Sequence, residues 1–416
     1  MDVYSYDWEA KSPSKFKVME PQEFASEFGW LIKSAEAGKE PLSGTVVKSS
    51  TASIFKWKVS LHSNDAGLLS LWSSNFEPES GKPQASLYAL RVPQGNGELG
   101  SLPPGSGFFS PKTLQYLVVN PSSYEEVKGT GVRLLTNELS ERDAKHLALN
   151  ASCAEVLGKG VCLLAPAGLG KTTHVYGLAG WTEDKSTKFH SDGWLFVNLK
   201  DKTAYSPERL YYAKGLQALS TSLRQFLHRS RKESLERFMS RDLINRDGFL
   251  VDPTELLGKG KFTRKCKVDY LILLERSEED PWLVKPLQPE EALSTVREGR
   301  YDGQTSSPYF NPYAVSKERE ERRQSMYFKL FSGTETFLVN TRAPVWITQS
   351  LIRGIALGEW KWAKLVQGEV YVLRGERYES LFTAFSEQKE ALASKKGQGK
   401  AKKKGSLASS RLDEAP

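Results

Sequence analysis

Short apolar runs, broken by glycine, proline and serine, set the rhythm of this chain. Thr45 to Ser60 and Ala85 to Val92 read as extended segments, and Leu114 to Asn120 (Leu-Gln-Tyr-Leu-Val-Val-Asn) as another. A Gly/Pro/Ser-rich stretch, Pro93 to Pro111, lies between the last two. Further on, Gly160-Val161-Cys162-Leu163-Leu164 is an apolar run that feeds a glycine loop, and Lys171 to Leu178 continues as a helix. Trp194 to Leu199, Val268 to Leu274, Thr336 to Asn340 and Glu369 to Leu373 are strand candidates. They alternate with helices over Pro289 to Val296, with proline in its first turn, and Thr348 to Leu357. From Leu216 to Leu243 the apolar positions, among them Leu219, Leu223, Phe226, Leu227 and Phe238, fall largely at helical spacing. Arg224, Arg229, Arg231, Lys232, Arg237 and Arg241 form the solvated face of that helix.

This pattern predicts an α/β protein: a smaller N-terminal α/β unit over residues 1–135, a larger unit with a mixed, mostly parallel sheet over 136–385, and a tail over 386–416. The tail turns to Lys, Gly, Ser and Ala and is expected to be disordered. At 416 residues, with 39% hydrophobic and 11% aromatic positions, the chain has ample material for buried cores. The net charge of +8 invites a nucleic-acid or acidic partner. Much of it, however, sits in the tail as Lys395, Lys396, Lys400, Lys402, Lys403 and Lys404, leaving the body near neutral.

Cys153, Cys162 and Cys266 are odd in number and lack CxxC spacing, which argues against a disulfide framework or a cysteine zinc site. The first residues lack a basic and an apolar signal region, and no apolar run has the length to cross a bilayer; a soluble, cytoplasmic protein is the expectation. His146, His174, His190 and His228 show no i, i+4 pair that would make a zinc site.

The chemistry concentrates in Ala165-Pro166-Ala167-Gly168-Leu169-Gly170-Lys171-Thr172. This run matches G-x-x-x-x-G-K-[ST] except for alanine at the first glycine. Glycines let several backbone N–H groups point into one concavity, and the following helix adds its positive end. On this reading Ala167, Gly168, Leu169, Gly170, Lys171, Thr172 and Thr173 cradle the phosphates of ATP or GTP. Lys171 meets the β- and γ-phosphates, and the Thr172 hydroxyl faces Mg²⁺. A metal also needs a carboxylate. Asp192, in His190-Ser191-Asp192-Gly193-Trp194, is the candidate.

These residues resemble the HPr kinase/phosphoenolpyruvate carboxykinase group. Gly168-x-Gly170-Lys171-Thr172, a short helix and then an Asp-containing turn look like both members, and Gly158-Lys159-Gly160-Val161 is similar to the HPr kinase lead-in. A second match runs through Arg246-Asp247-Gly248-Phe249-Leu250-Val251-Asp252, Leu256-Leu257-Gly258 and Val268 to Glu275. The resemblance, which covers roughly Asn150 to Leu274, implies a kinase fold, Mg²⁺ held by Thr172 and Asp192, Arg246 reaching the transferred phosphoryl group, and an oligomer. The family has a histidine about where Asn150 stands and two adjacent aspartates where this chain has Ser191-Asp192. The general base is therefore Asp192, His190, or missing.

The expected function is Mg²⁺-dependent phosphoryl transfer from ATP or GTP to an acceptor that is a protein, a metabolite or a nucleotide. The alternatives are a catalytically reduced, nucleotide-binding interaction protein with a basic tail, and a phosphoenolpyruvate carboxykinase-like enzyme. The latter's oxaloacetate-binding arginine segment and manganese-binding lysine and histidine have no counterpart. Tyr301 to Tyr313, followed by Arg319, Arg322 and Arg323, reads either as a substrate loop or as plain surface.

Overall fold

The computed structural model describes residues 4–5, 15–39, 46–95, 97–166, 168–180, 186–213, 249–298 and 317–381. The Leu216 to Leu243 segment, Tyr301 to Tyr313 and the lysine-rich tail lie outside them. The described chain is mixed α/β, built on two mixed sheets.

The N-terminal sheet comprises β1 (Tyr4–Ser5), β2 (Lys15–Val18), β3 (Lys48–Ile54), β4 (Trp57–Ser63), β5 (Glu77–Pro78), β6 (Ala85–Leu90), β7 (Ser106–Ser110) and β8 (Gln115–Val119), in the order β1-β2-β7-β8-β6-β4-β3-β5. Alternation along the strands builds two cores, one on each face. Leu87 and Ala89 of β6, with Tyr116 and Val118 of β8, join Trp72 of α2 (Ala66–Asn75) on one side. Tyr88 and Leu90, with Leu117 and Val119, meet Phe24, Phe28 and Leu31 of α1 (Pro21–Glu36) on the other. Pro21 opens α1, and Asp65 caps α2 by accepting from the N–H groups of Gly67 (2.8 Å) and Leu68 (3.1 Å).

Of the segment read as one extended run, Thr45 to Ser60, the described residues form a hairpin. Its turn is Phe55-Lys56, between the cross-strand partners Ile54 and Trp57. A second connection has a functional consequence. Beyond the one-turn α3 (Gly97–Gly100) and β8, the chain enters a π-wound turn, Glu126–Val132, that runs without a break into α4 (Arg133–Asp143). Residue 135, the boundary read from the sequence, falls inside this helix. Leu134, Leu135 and Leu139 share the N-terminal core with Ala148, Trp194 and Phe196 of the following unit.

The second sheet has the main path β12 (Lys188–Asp192), β10 (Ala151–Val156), β11 (Lys159–Leu164), β17 (Lys265–Glu275), β19 (Glu335–Asn340), β18 (Trp282–Leu287), β20 (Ala363–Val366), β21 (Glu369–Arg374) and β22 (Arg377–Ser380). A branch of β9 (His146–Leu149), β13 (Leu195–Asn198) and β14 (Thr203–Tyr205) joins it at β17. Val161, Leu163, Ile272 and Leu274 face α5 (Lys171–Gly180) and the helix Val345–Ala356. Cys162, Leu164, Leu271 and Leu273 face the helices Pro289–Glu298 and Lys317–Phe331. Covered on both faces, β11 and β17 read as continuous apolar runs. The three cysteines are free and buried. Among the described residues no helix is long and apolar enough to cross a membrane.

β11, β17 and β19 are parallel neighbours. β12 runs in the same direction, since β10 is antiparallel to both β11 and β12. The carboxyl ends of these four strands therefore share one edge of the sheet, the usual place for a ligand crevice in an α/β fold.

Candidate functional site

β11 ends at that edge and passes through Ala165 and Pro166 into the glycine loop. Gly168 and Gly170 hold φ of +85° and +87°, conformations that an L side chain would strain. Ala165, at the position of the missing glycine, has no positive φ, so its Cβ is tolerated. Ala167 lies outside the described residues. Leu169 packs against the core beneath the loop. Lys171, the first residue of α5, folds back so that Nζ donates to the carbonyls of Ala165 (2.5 Å) and Pro166 (3.2 Å). Burial brings its pKa down to about 8; Arg133 pushes the same way and Asp192 opposes. The Thr173 carbonyl accepts from Gln349 Nε2 (3.4 Å), tying α5 to the helix Val345–Ala356. His174 is buried, and that burial lowers its pKa to about 4, so its ring is neutral.

Asp192 ends β12 beside this loop. Its Oδ1 accepts from Thr172 Oγ1 (3.1 Å) and from Ser152 Oγ (2.6 Å). Burial raises the carboxyl pKa, against the hydrogen bonds from Ser152 and Thr172 and the charges of Lys171 and Lys128. Among the described residues nothing donates to Oδ2. Lys171, Thr172 and Asp192 are thus brought together.

His190 is not. Cys153 pairs with Ser191 and Ala154 with Phe189, so His190 is the extra residue of a β-bulge. Its Nδ1–H donates to the Thr263 carbonyl (2.8 Å), and the ring is fully enclosed, with a pKa lowered to about 4 by burial. Ser191, where the resemblance has an aspartate, is also fully buried and donates to the Trp194 carbonyl (3.0 Å).

Two cations that the sequence reading passed over come from the π-wound turn. Lys128 is buried against Glu208, 3.1 Å away. Burial works against its charge, but Glu208, Glu125 and Asp192 more than offset this and raise its pKa. Arg133 lies over the Trp194 indole, 5.2 Å from guanidinium carbon to ring centre. In the amide orientation that satisfies its neighbours, Asn150 accepts from Arg133 (3.3 Å) and donates to the Gly193 carbonyl (2.8 Å). The run Lys128-Gly129-Thr130-Gly131-Val132-Arg133 carried a signal, two cations bracketing two glycines where a regular helix is disfavoured.

Arg246 lies outside the described residues. Downstream of it, β16 (Phe249–Val251) pairs with β15 (Tyr211–Ala213), and Asp252 caps the helix Pro253–Leu257. Arg319 and Arg323 belong to the interior: both pair with Glu141 of α4, at 2.6 and 3.1 Å. Glu275 and Asn340, cross-strand partners at the ends of β17 and β19, complete the edge. Asn340 holds the loop after β17, donating to the Ser277 carbonyl (2.7 Å) and accepting from its N–H (3.1 Å). Among the described residues no three His, Cys, Asp or Glu gather at one point. Compared with known proteins, the sequence matches no family model and no curated protein.

Proposed function

We propose that this chain is an ATP- or GTP-dependent phosphotransferase, of the HPr kinase-like kind its motifs resemble, with its site at the glycine loop. The observation that carries the reading is the contact between Thr172 and Asp192, 3.1 Å apart, at the start of the helix that follows Gly168 and Gly170. A hydroxyl and a carboxylate joined at the first turn of a helix make an oxygen donor pair suited to a hard cation, so Thr172 and Asp192 fit Mg²⁺. Bound there together with a nucleotide, Mg²⁺ would neutralise charge building up on the phosphate oxygens.

The chain's own residues do the rest. Loop N–H groups and the N-terminal end of α5 orient the β- and γ-phosphates, and Lys171 leaves the Ala165 and Pro166 carbonyls to meet them. An acceptor hydroxyl oxygen forms the new bond to the γ-phosphorus while the β–γ bridging oxygen departs with its electron pair, releasing ADP or GDP. The acceptor's proton passes to Asp192 through Oδ2. His190, sealed against Thr263, takes no part.

The test offers γ-labelled ATP or GTP with Mg²⁺ to purified protein and to Lys171→Ala, with cell protein, metabolites and nucleic acid as separate acceptor pools. Label on one pool, lost in the variant, supports the reading and names the acceptor class. Intact nucleotide bound without transfer favours a nucleotide-gated interaction protein instead. Ser191 in place of a second aspartate is what keeps that reading in play.

A further inference from the structure

We infer that Arg133, delivered by the π-wound turn of the N-terminal unit, binds the terminal phosphate of the nucleotide. The inference rests on the phosphotransferase reading. Within it, Arg133 completes from outside the glycine loop a phosphate grip that the loop motif alone leaves to Lys171.

Three observations carry it. First, Arg133 is fixed on the segment that bears the carboxylate. Its guanidinium stacks on Trp194, two residues after Asp192, and Trp194 Nε1 donates to Thr136 Oγ1 (3.1 Å), one turn along from Arg133. Asn150 bridges Arg133 to the carbonyl of Gly193, the residue after Asp192. Second, Arg133 opens α4 directly after a π-wound turn, a winding that re-aims the residues around it and recurs at functional sites. Third, Arg133 lies within electrostatic reach of Lys171 at the glycine loop, and Lys128 of the same turn within reach of Asp192.

Cations gathered at the loop edge favour an anion that arrives there. A guanidinium offers a planar fork of donors to phosphate oxygens that an ammonium cannot reproduce. A stacked, bridged arginine keeps that fork in place before the ligand binds, so little ordering is left to be done. The site therefore discriminates nucleotides by the phosphate that ATP has and ADP lacks.

Equilibrium binding of Mg·ATP and Mg·ADP to the full chain, to Arg133→Met and to Arg133→Lys tests this. Arg133→Met should lose about tenfold to a hundredfold in ATP affinity and keep ADP within about twofold, with Arg133→Lys between. ADP binding in the same sample reports that the site is folded. Should Arg133→Met fail to fold, Arg133→Lys carries the same ATP-to-ADP comparison. Unchanged ATP affinity, or equal losses for both nucleotides, would make Arg133 a structural residue and overturn the inference. Failure of the wild-type chain to bind either nucleotide would sink the phosphotransferase reading beneath it.

Discussion

Thr172 Oγ1 and Asp192 Oδ1 lie 3.1 Å apart although 20 positions separate them in the chain. The contact joins the first turn of α5 to the end of β12, and Ser152 holds the same oxygen from β10. A carboxylate gripped by two hydroxyls at a strand edge is oriented before any ligand arrives.

Asp192→Asn follows from that geometry. Asparagine keeps the size and an oxygen for both hydroxyls while removing the charge, which burial already disfavours. The variant should fold with unchanged or slightly higher stability, and phosphoryl transfer should fall by about a hundredfold or more. Transfer rates across a Mg²⁺ titration, with thermal melting as the control, check this. Wild-type transfer in the variant would remove Asp192 from the mechanism.

Glu141 answers two buried arginines, Arg319 and Arg323, and fastens the helix Lys317–Phe331 to α4. Truncating it leaves two buried cations short of a counter-charge, so Glu141→Ala should cost about 3–5 kcal/mol. Urea unfolding reads this directly. A loss no larger than that of an exposed pair, about 1 kcal/mol or less, would mean that Glu138, 2.6 Å from Arg319, carries the pairing alone.

Much of the second sheet was legible because strands covered on both faces are apolar throughout, as Val161 to Leu164 and Leu271 to Leu274 are. The hairpin at Phe55 was not. Its turn has no glycine or asparagine, and Phe55 sits at φ +62° with its ring stacked on Phe196 at 5.0 Å. A tertiary contact there outweighs local turn chemistry. The bulge at His190 is hidden for a similar reason: alternation along β12 gives no hint that one residue is extra. The loop, Lys171, Thr172 and Asp192 could be found by motif. Ser152 could not, since it comes from a neighbouring strand, and Lys128 and Arg133 left only the weak trace of two cations bracketing two glycines, with nothing in the sequence to bring that turn of the preceding unit to the loop.

Glu208 gives stability a pH slope. It is buried against Lys128 and Asn75, where Asn75 also donates to the Leu210 carbonyl and accepts from Tyr124 (2.9 Å), and burial pushes its pKa up from 4.5 to about 7 despite Lys128. A carboxyl with a raised folded pKa contributes most below its unfolded value. That contribution, about 3 kcal/mol, is lost as pH rises through about 7. Glu208→Gln should therefore gain on the wild type between about pH 5 and about pH 8, as measured by urea unfolding at both. Lys128→Met should lose more at the higher pH. Parallel stability curves for wild type and Glu208→Gln would contradict the raised pKa.

Lys171 carries the opposite sign. Burial lowers its pKa from 10.5 to about 8, so the charged form is penalised in the folded chain. From this group stability rises with pH between about 8 and 10.5, and the full penalty, up to about 3 kcal/mol, holds below about 8. Lys171→Met should accordingly melt higher than wild type near neutral pH while losing nucleotide affinity, the trade of stability for function expected at a binding site. Arriving phosphates favour the ammonium and return its pKa upward. At about pH 8, binding of Mg·ATP should then take up as much as about half a proton, and Lys171→Met should show no such uptake. Calorimetry in two buffers of different ionisation enthalpy measures it. Binding without proton uptake at that pH would mean that Lys171 stays on the Ala165 and Pro166 carbonyls and that the phosphates are held by other groups.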